Sequence, residues 1–193
     1  QILGLSVGQT TGLTALWALG TLIGLGWPAR RLNQGGEPHR MAGHGLVIGV
    51  LAFAAVICAG PFASEPLFCL GVAMIGLGGG LFSVGTLTSA MALARDGRSG
   101  IALGAWGAVQ ATAVGLAVLT GGALRDLVSA LSSSGLLGPA MSQPFTAYGV
   151  VYHLEIGLLF AALVAIGPLA RYAPAASPQS LTPQRFGLAD LPA

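Results

Sequence analysis

The stretch LFCLGVAMIGLGGGLFSVGTLTSAMAL, residues 67–93, decides the fold, because it is apolar from end to end and carries no charged residue. A helix needs about 20 such residues to cross a hydrocarbon core of about 30 Å. Four more stretches are long and apolar enough, and they occupy residues 5–27, 43–60, 101–124 and 148–170. None alternates polar with apolar residues as a barrel strand does. The sequence therefore predicts an all-α membrane protein with a bundle of five transmembrane helices.

The composition of the whole chain supports this prediction and excludes other classes. Of the 193 residues, 54% are hydrophobic and 7% are charged, whereas a soluble domain carries about 25% charged residues. The net charge of +2 includes no basic cluster, which excludes nucleic-acid binding. Two cysteines, Cys58 and Cys69, are too few for a disulfide framework and are predicted to be free thiols. Without a Ser-His-Asp set, metal cluster or nucleotide fingerprint, we expect no enzyme.

The arginines indicate the orientation of the bundle, since basic residues in short loops accumulate on the cytoplasmic side. Seven of them share one side of the predicted spans: Arg30, Arg31, Arg40, Arg95, Arg98, Arg171 and Arg185. Only Arg125 falls on the other side. We therefore expect residues 1–171 to form the bundle and the Pro- and Ser-rich residues 172–193 to form a cytoplasmic tail. The N-terminus is then external, and we expect at least one further span before Gln1.

The external segment 125–147 is expected to lie partly flat on the membrane as a short amphipathic helix. Within the spans, small residues repeat at steps of four and predict closely packed helices. These repeats are Gly20/Gly24, Gly45/Gly49 and Gly76/Gly80, and a smooth edge of the fourth span is formed by Gly100, Gly104, Gly107, Ala111 and Gly115. A stripe of Thr10, Thr14, Trp17 and Thr21 lies on the first span. Its hydroxyls are expected to hydrogen-bond backbone carbonyls.

Ionisable residues inside a span usually mark function, and the fifth span contains His153 and Glu155. Two residues apart, they point to nearly opposite sides of a helix and cannot act as a paired acid and base. Gly149 and Gly157 lie four residues before and after His153, so a planar ring can rest on bare backbone there. His153 is then either an axial ligand to a chlorin magnesium or an imidazole hydrogen-bonded across a glycine-lined helix contact.

A second polar group is formed by Glu155 with Tyr148 and Tyr152, which share its helix face. Two interpretations stay open for this carboxyl: a proton or ligand site in a cavity, and a neutral hydrogen bond between helices. In the fourth span, Trp106 and Gln110 lie four residues apart. The glutamine can contact a keto or ester group of a ligand, or it can bridge two helices.

Four strings together resemble a known family. They are GLSVGQTTGLTALWALGTLIG, GGGLFSVGTLTSAMALA, GIALGAWGAVQATAVGLAVLTGGALRDLV and YGVVYHLEIGLLFAALVAIGPLAR, and they cover nearly all of residues 3–171. The chain resembles the C-terminal half of the PucC/LhaA family, proteins of bacteriochlorophyll delivery and light-harvesting complex assembly within the major facilitator superfamily. The resemblance implies that the five helices correspond to spans eight to twelve of a twelve-span fold, with the N-terminal half of the parent protein as their neighbour.

The resemblance also implies a place in the inner, photosynthetic membrane of a bacterium. Bacteriochlorophyll is then expected as a transient cofactor, and antenna and reaction-centre polypeptides as partners; the resemblance itself supplies no site residues. The leading hypothesis is an assembly factor in which His153 binds the pigment magnesium and Gln110 or Trp106 contacts the ring edge. A proton-coupled transporter that uses Glu155, and a structural subunit bound to the antenna, are the alternatives.

Overall fold

The computed structural model describes residues 7–94, 99–138 and 146–172, with side-chain surroundings up to residue 170. Those residues form no strand and five helices: α1 (Val7–Asn33), α2 (Pro38–Ala59), α3 (Glu65–Ala92), α4 (Ser99–Ser133) and α5 (Thr146–Tyr172). All five are long and apolar enough to cross a membrane. The prediction of a transmembrane helical bundle is confirmed, and the chain is a multi-pass membrane protein.

Two short connections join α1 to α2 and α2 to α3, and the helix that follows each of them has a side-chain cap at its N-terminus. Glu37 caps α2, because its carboxylate accepts hydrogen bonds from the backbone N–H of His39 at 3.2 Å and of Arg40 at 3.0 Å. Pro38 occupies the first helical position, where no backbone donor is needed. Ser64 caps α3 in the same way, accepting from the N–H of Leu67 at 3.4 Å. The caps begin both helices outside the purely apolar stretches.

Helix α4 is longer than its predicted span. Its 35 residues extend about 52 Å at 1.5 Å per residue, which exceeds the hydrocarbon thickness. Residues 125–133 therefore continue α4 and do not form a separate surface helix, because charged residues end an apolar run without ending a helix. The rest of the expected surface helix from residue 139, the tail from residue 173, and Arg95 and Arg98 lie outside the described residues.

Helix α3 lies at the centre of the bundle. It packs most extensively against α2 and α1; α2 packs in turn against α5, and α4 contacts both α5 and α3. The buried positions of α3 are almost all glycine. The bundle therefore has a tightly packed part, formed by α1, α2 and α3, and a looser part, formed by α4 and α5.

Glycines make the tight packing possible. A Cβ atom at Gly20 would collide with the backbone oxygen of Ala73, and one at Gly76 with that of Trp17. On the other side of α3, a Cβ atom at Gly45 would lie 2.6 Å from the carbonyl oxygen of Gly78. The predicted close packing is thus confirmed for α1, α2 and α3, where backbones approach too closely for any side chain.

The described residues do not show such packing on the smooth edge of α4. Four glycines of its smooth edge have nothing within 4 Å of an added Cβ atom: Gly100, Gly104, Gly107 and Gly115. Ala111 on the same edge is exposed. Among the described residues no helix covers this edge, although its small residues recur at steps of three and four, close to the step of four at the packed crossings.

Two smaller predictions are confirmed. In α1, the hydroxyl of Thr14 donates to the carbonyl oxygen of Thr10 at 3.1 Å, and that of Thr21 donates to Trp17 at 3.0 Å. These bonds return the threonine hydroxyls to their own helix. Cys58 and Cys69 are both free thiols.

Candidate functional site

His153 lies on the exposed face of α5, and a hydrogen bond to its own helix fixes its ring. The Nδ1 atom is 2.7 Å from the carbonyl oxygen of Gly149. Because a carbonyl oxygen only accepts, the proton of this bond resides on Nδ1. In the neutral imidazole the lone pair then belongs to Nε2, the nitrogen that remains available to a metal.

The two glycines beside His153 leave its face of the helix open. A Cβ atom added at Gly149 or Gly157 would meet nothing within 4 Å. The described hydrogen bond of His153 is intrahelical, and no neighbouring helix closes on this strip within the described chain. The described residues therefore show no helix crossing at this strip, and it has room for either a flat ring or another helix.

The two tyrosines of α5 belong to a row of side chains that ties α4, α5 and α2 together. Arg125 of α4 donates through Nη1 to the Tyr148 hydroxyl at 3.3 Å, and its guanidinium carbon lies 5.5 Å from the ring centroid. The Tyr148 and Tyr152 ring centroids are 6.3 Å apart, and Tyr152 lies 5.9 Å from Phe53 of α2. Asp126 pairs with Arg125 at 2.7 Å. The phenols thus serve contacts between helices.

Glu155 follows Tyr152 along the half-buried side of α5. In the described part of the chain its carboxyl makes no hydrogen bond, and neither tyrosine hydroxyl bonds to it. Leu159, one turn further on, packs against α2 at Gly49. A Cβ atom added at Gly49 would lie 3.3 Å from the Leu159 side chain. Glu155 is therefore held beside the α2 contact with its hydrogen-bonding capacity unused by the described residues.

Trp106 and Gln110 lie on α4, away from the face of α5 that carries His153. The indole Nε1 of Trp106 donates to the Thr86 hydroxyl at 3.2 Å and joins α4 to α3. Helix α5 meets α4 through Val151, which would lie 3.9 Å from a Cβ atom added at Gly121. His153 points about 160° away from Val151 around α5 at 3.6 residues per turn, and therefore away from α4. The structure brings His153 together with its two glycines, and it does not bring Trp106 or Gln110 to them.

Three features escaped the sequence reasoning. The Arg125–Tyr148 contact was signalled only by the fact that both residues flank the same connection. His44 lies in the second turn of α2 and is exposed. It was missed because the predicted span begins at residue 43, which puts His44 at the end of that span.

A cavity of 230 Å³ opens between the starts of α1 and α3. It is lined by Gln9, Gly12, Leu13, Leu16, Glu65, Phe68 and Cys69.

Comparison with known proteins gives a consistent family. The chain is 52% identical over its whole length to an uncharacterized protein of the puhA-bchM intergenic region of Rhodobacter capsulatus. It is 43% identical over 91% of its length to Protein PucC of Cereibacter sphaeroides. A Rhodobacter capsulatus protein named Bacteriochlorophyll synthase 44.5 kDa chain is 31% identical over 88% of the chain. No solved structure matches the chain.

The match covers only part of each relative. The chain spans 40% of the length of the intergenic-region protein, 37% of the Cereibacter PucC and 38% of the bacteriochlorophyll synthase chain. The profile of the family described as PUCC protein matches residues 1–173, which include all five helices. The chain belongs to the PUCC protein family.

Proposed function

We propose that this chain contributes a pigment-binding surface to an assembly factor of the bacterial photosynthetic membrane, which holds bacteriochlorophyll and delivers it to antenna polypeptides. The names of its relatives, PucC and Bacteriochlorophyll synthase 44.5 kDa chain, support a role connected with bacteriochlorophyll. In this proposal the membrane is the inner membrane, and the C-terminus is cytoplasmic, as the arginine distribution favours.

One observation carries the proposal: His153 presents Nε2 on an open helix face. The 2.7 Å bond from Nδ1 to Gly149 sets the tautomer and holds the ring orientation, as partners of ligating histidines do at metal sites. A bound chlorin would supply a magnesium ion for Nε2 of His153 to bind. Gly149 and Gly157 leave room for a planar macrocycle on either side of the imidazole, since neither would bring a Cβ atom within 4 Å of any neighbour.

The exposure of this face suits transfer. His153 is exposed, and the described helices put no wall in front of it, so a bound ring would be held from one side only. A single axial ligand on an open helix face lets cargo leave sideways into the bilayer or onto another helix. A permanent cofactor, by contrast, is usually enclosed, because pockets bury 70–90% of a ligand's surface.

The test is the absorption spectrum of the full-length protein purified from pigment-producing cells. We expect bound bacteriochlorophyll below one molecule per protein, and His153→Leu should lower it at least tenfold. His44→Leu is the matched control, because His44 is also exposed inside a span, but the positions four residues before and after it are Arg40 and Ile48, not glycines. Colourless wild-type protein from pigment-replete membranes, or equal loss in both variants, would contradict the proposal.

A second candidate function rests on Glu155, whose carboxyl lies in a span and has no hydrogen-bond partner among the described residues. Such a group can load and release a proton in a secondary transporter. In proteoliposomes containing the fluorescent pH indicator pyranine, Glu155→Gln should then abolish proton uptake after an imposed pH gradient. Unchanged uptake removes this function. Indifference of both pigment and proton readouts to His153 and Glu155 would instead favour a structural subunit.

A further inference from the structure

One face of α4 is packed at both ends and bare in the middle. The face is defined by steps of three and four residues and consists of Trp106, Gln110, Ala113, Ala117, Gly121, Leu124 and Val128. Its ends are buried or half-buried, whereas Ala113 and Ala117 are exposed. Since these alanines point the same way as their packed neighbours, α4 stands away from the bundle between its two points of attachment.

The attachments are specific contacts. Near one end, Trp106 bonds to Thr86 of α3 at 3.2 Å. Near the other, Gly121 lies against Val151 and Arg125 bonds to Tyr148 at 3.3 Å. Between them, every residue from 111 to 120 is exposed, a length of about 16 Å from Gln110 to Gly121 at 1.5 Å per residue.

Helix α5 forms the opposite wall of this opening. Leu154 is 47% exposed and Leu158 is 55% exposed, on the side of α5 that carries Val151. Glu155 lies between these leucines and the residues that contact α2. The α4–α5 cleft, as we call the space between residues 111–120 and 154–162, is therefore apolar and opens to the bilayer.

Two hydrogen-bonding groups border the α4–α5 cleft. Gln110 of α4 and Glu155 of α5 are half-buried, and neither side chain has a hydrogen-bond partner among the described residues. Glu155 lies about 6 Å from Val151 along α5, and Gln110 lies about 16 Å from Gly121 along α4, in the same direction from the Gly121–Val151 contact. The hydrocarbon around a span offers no hydrogen bonds, so unpaired polar groups at this depth are costly. Their spacing of about 10 Å is within reach of one elongated molecule.

We propose that the α4–α5 cleft binds a neutral, lipid-soluble molecule that carries hydroxyl or carbonyl oxygens on a long apolar chain and enters sideways from the bilayer. The Gln110 amide can donate and accept hydrogen bonds, and the Glu155 carboxyl can accept them, which matches such oxygens. No basic side chain lies among the cleft residues, and Arg125 at its end is engaged by Asp126 and Tyr148. A neutral headgroup therefore fits better than an anionic one.

The closed ends argue for a small molecule. A second transmembrane helix needs an uninterrupted groove of about 30 Å, and the contacts of Trp106 and Gly121 interrupt this one. The site is also independent of the proposed pigment surface, because His153 is on the opposite side of α5. A negative result for the pigment surface therefore does not affect the proposal for the α4–α5 cleft, and the reverse also holds.

The experiment is photolabelling of the full-length protein in nanodiscs with a 16-carbon alcohol that carries a mid-chain diazirine. We expect labelled peptides from residues 111–120 and 154–162 to exceed those from the exposed α2 residues Val47 and Leu51 at least fivefold. Excess hexadecanol and its acetate ester should compete, whereas hexadecane, which has no oxygen, should not. Competition by the ester alone assigns a carbonyl ligand, and competition by the alcohol alone assigns a hydroxyl ligand.

Variants complete the test. Glu155→Leu should lower labelling of the cleft at least threefold, and His153→Leu should leave it unchanged. Should Glu155→Leu fail to fold, Ala117→Leu adds bulk at an exposed position and should exclude the probe. Labelling that is even over α2 and α4, competition by hexadecane, or protection of the cleft by the rest of the polypeptide would overturn the proposal.

Discussion

Replacement of Gly76 by leucine is expected to abolish recovery of folded protein. Gly76 is buried where α3 crosses α1, and its Cβ atom would collide with the carbonyl oxygen of Trp17 while lying 2.9 Å from the Thr21 nitrogen. Backbone atoms cannot move aside as a flexible side chain can, so the two helices must separate. Overpacking costs about 1–3 kcal/mol where a core can adjust, and we expect more here because the whole crossing opens.

The matched control lies three residues further along the same helix. Gly79 is exposed, and a Cβ atom there would meet nothing within 4 Å. Gly79→Leu should therefore give the same yield, the same monodisperse elution in detergent and a melting temperature no lower than that of the wild type. Loss of folding in both variants, or in neither, would contradict the assigned crossing.

The alanine pair gives a graded form of this test. Gly76→Ala adds only the colliding Cβ atom and should lower the melting temperature of the detergent-solubilised protein. Gly79→Ala should raise or preserve it, because alanine favours a helix over glycine by about 1 kcal/mol. Opposite signs from chemically identical changes report the tertiary contact itself, since helix propensity alone predicts a gain at both positions.

The sequence contains enough to predict the helices but not which faces they bury. Spans follow from apolar length, because each helix must satisfy its backbone polar groups internally. Glycine spacing correctly marks the crossing at Gly20 and Gly76, yet Gly104 and Gly107, which lie on a similar row of small residues, meet no described atom within 4 Å of an added Cβ atom. The spacing describes a smooth surface, and only the relative placement of α3, α1 and α4 decides whether another backbone meets it.

The same distinction applies to the candidate site. Helical periodicity predicts that His153 shares a face with Gly149 and Gly157, and that Glu155 points elsewhere. It cannot reveal that Trp106 of α4 turns toward Thr86, away from His153, because that depends on where α4 is attached. The bond from His153 to Gly149 is local. It could have been anticipated from the spacing of four residues.

A leucine at Gly157 should remove the pigment surface while leaving the fold intact. Gly157 has nothing within 4 Å of an added Cβ atom, so the change costs no packing and slightly favours the helix. The side chain would project over the strip beside His153 that a macrocycle needs. We expect at least a tenfold fall in bacteriochlorophyll bound to the purified full-length protein, with an unchanged melting temperature.

Gly167→Leu is the control for that variant. Gly167 is on the same helix and equally open, but it lies about 21 Å from His153 along α5. Its replacement should leave both pigment content and stability unchanged. Pigment retained in Gly157→Leu would mean that the ring does not lie on this strip, and equal pigment loss in Gly167→Leu would point to a general effect of bulk on α5. If His153→Leu and Gly157→Leu lower the pigment together while Gly167→Leu does not, the ring must be bound by the imidazole and rest against the bare backbone beside it.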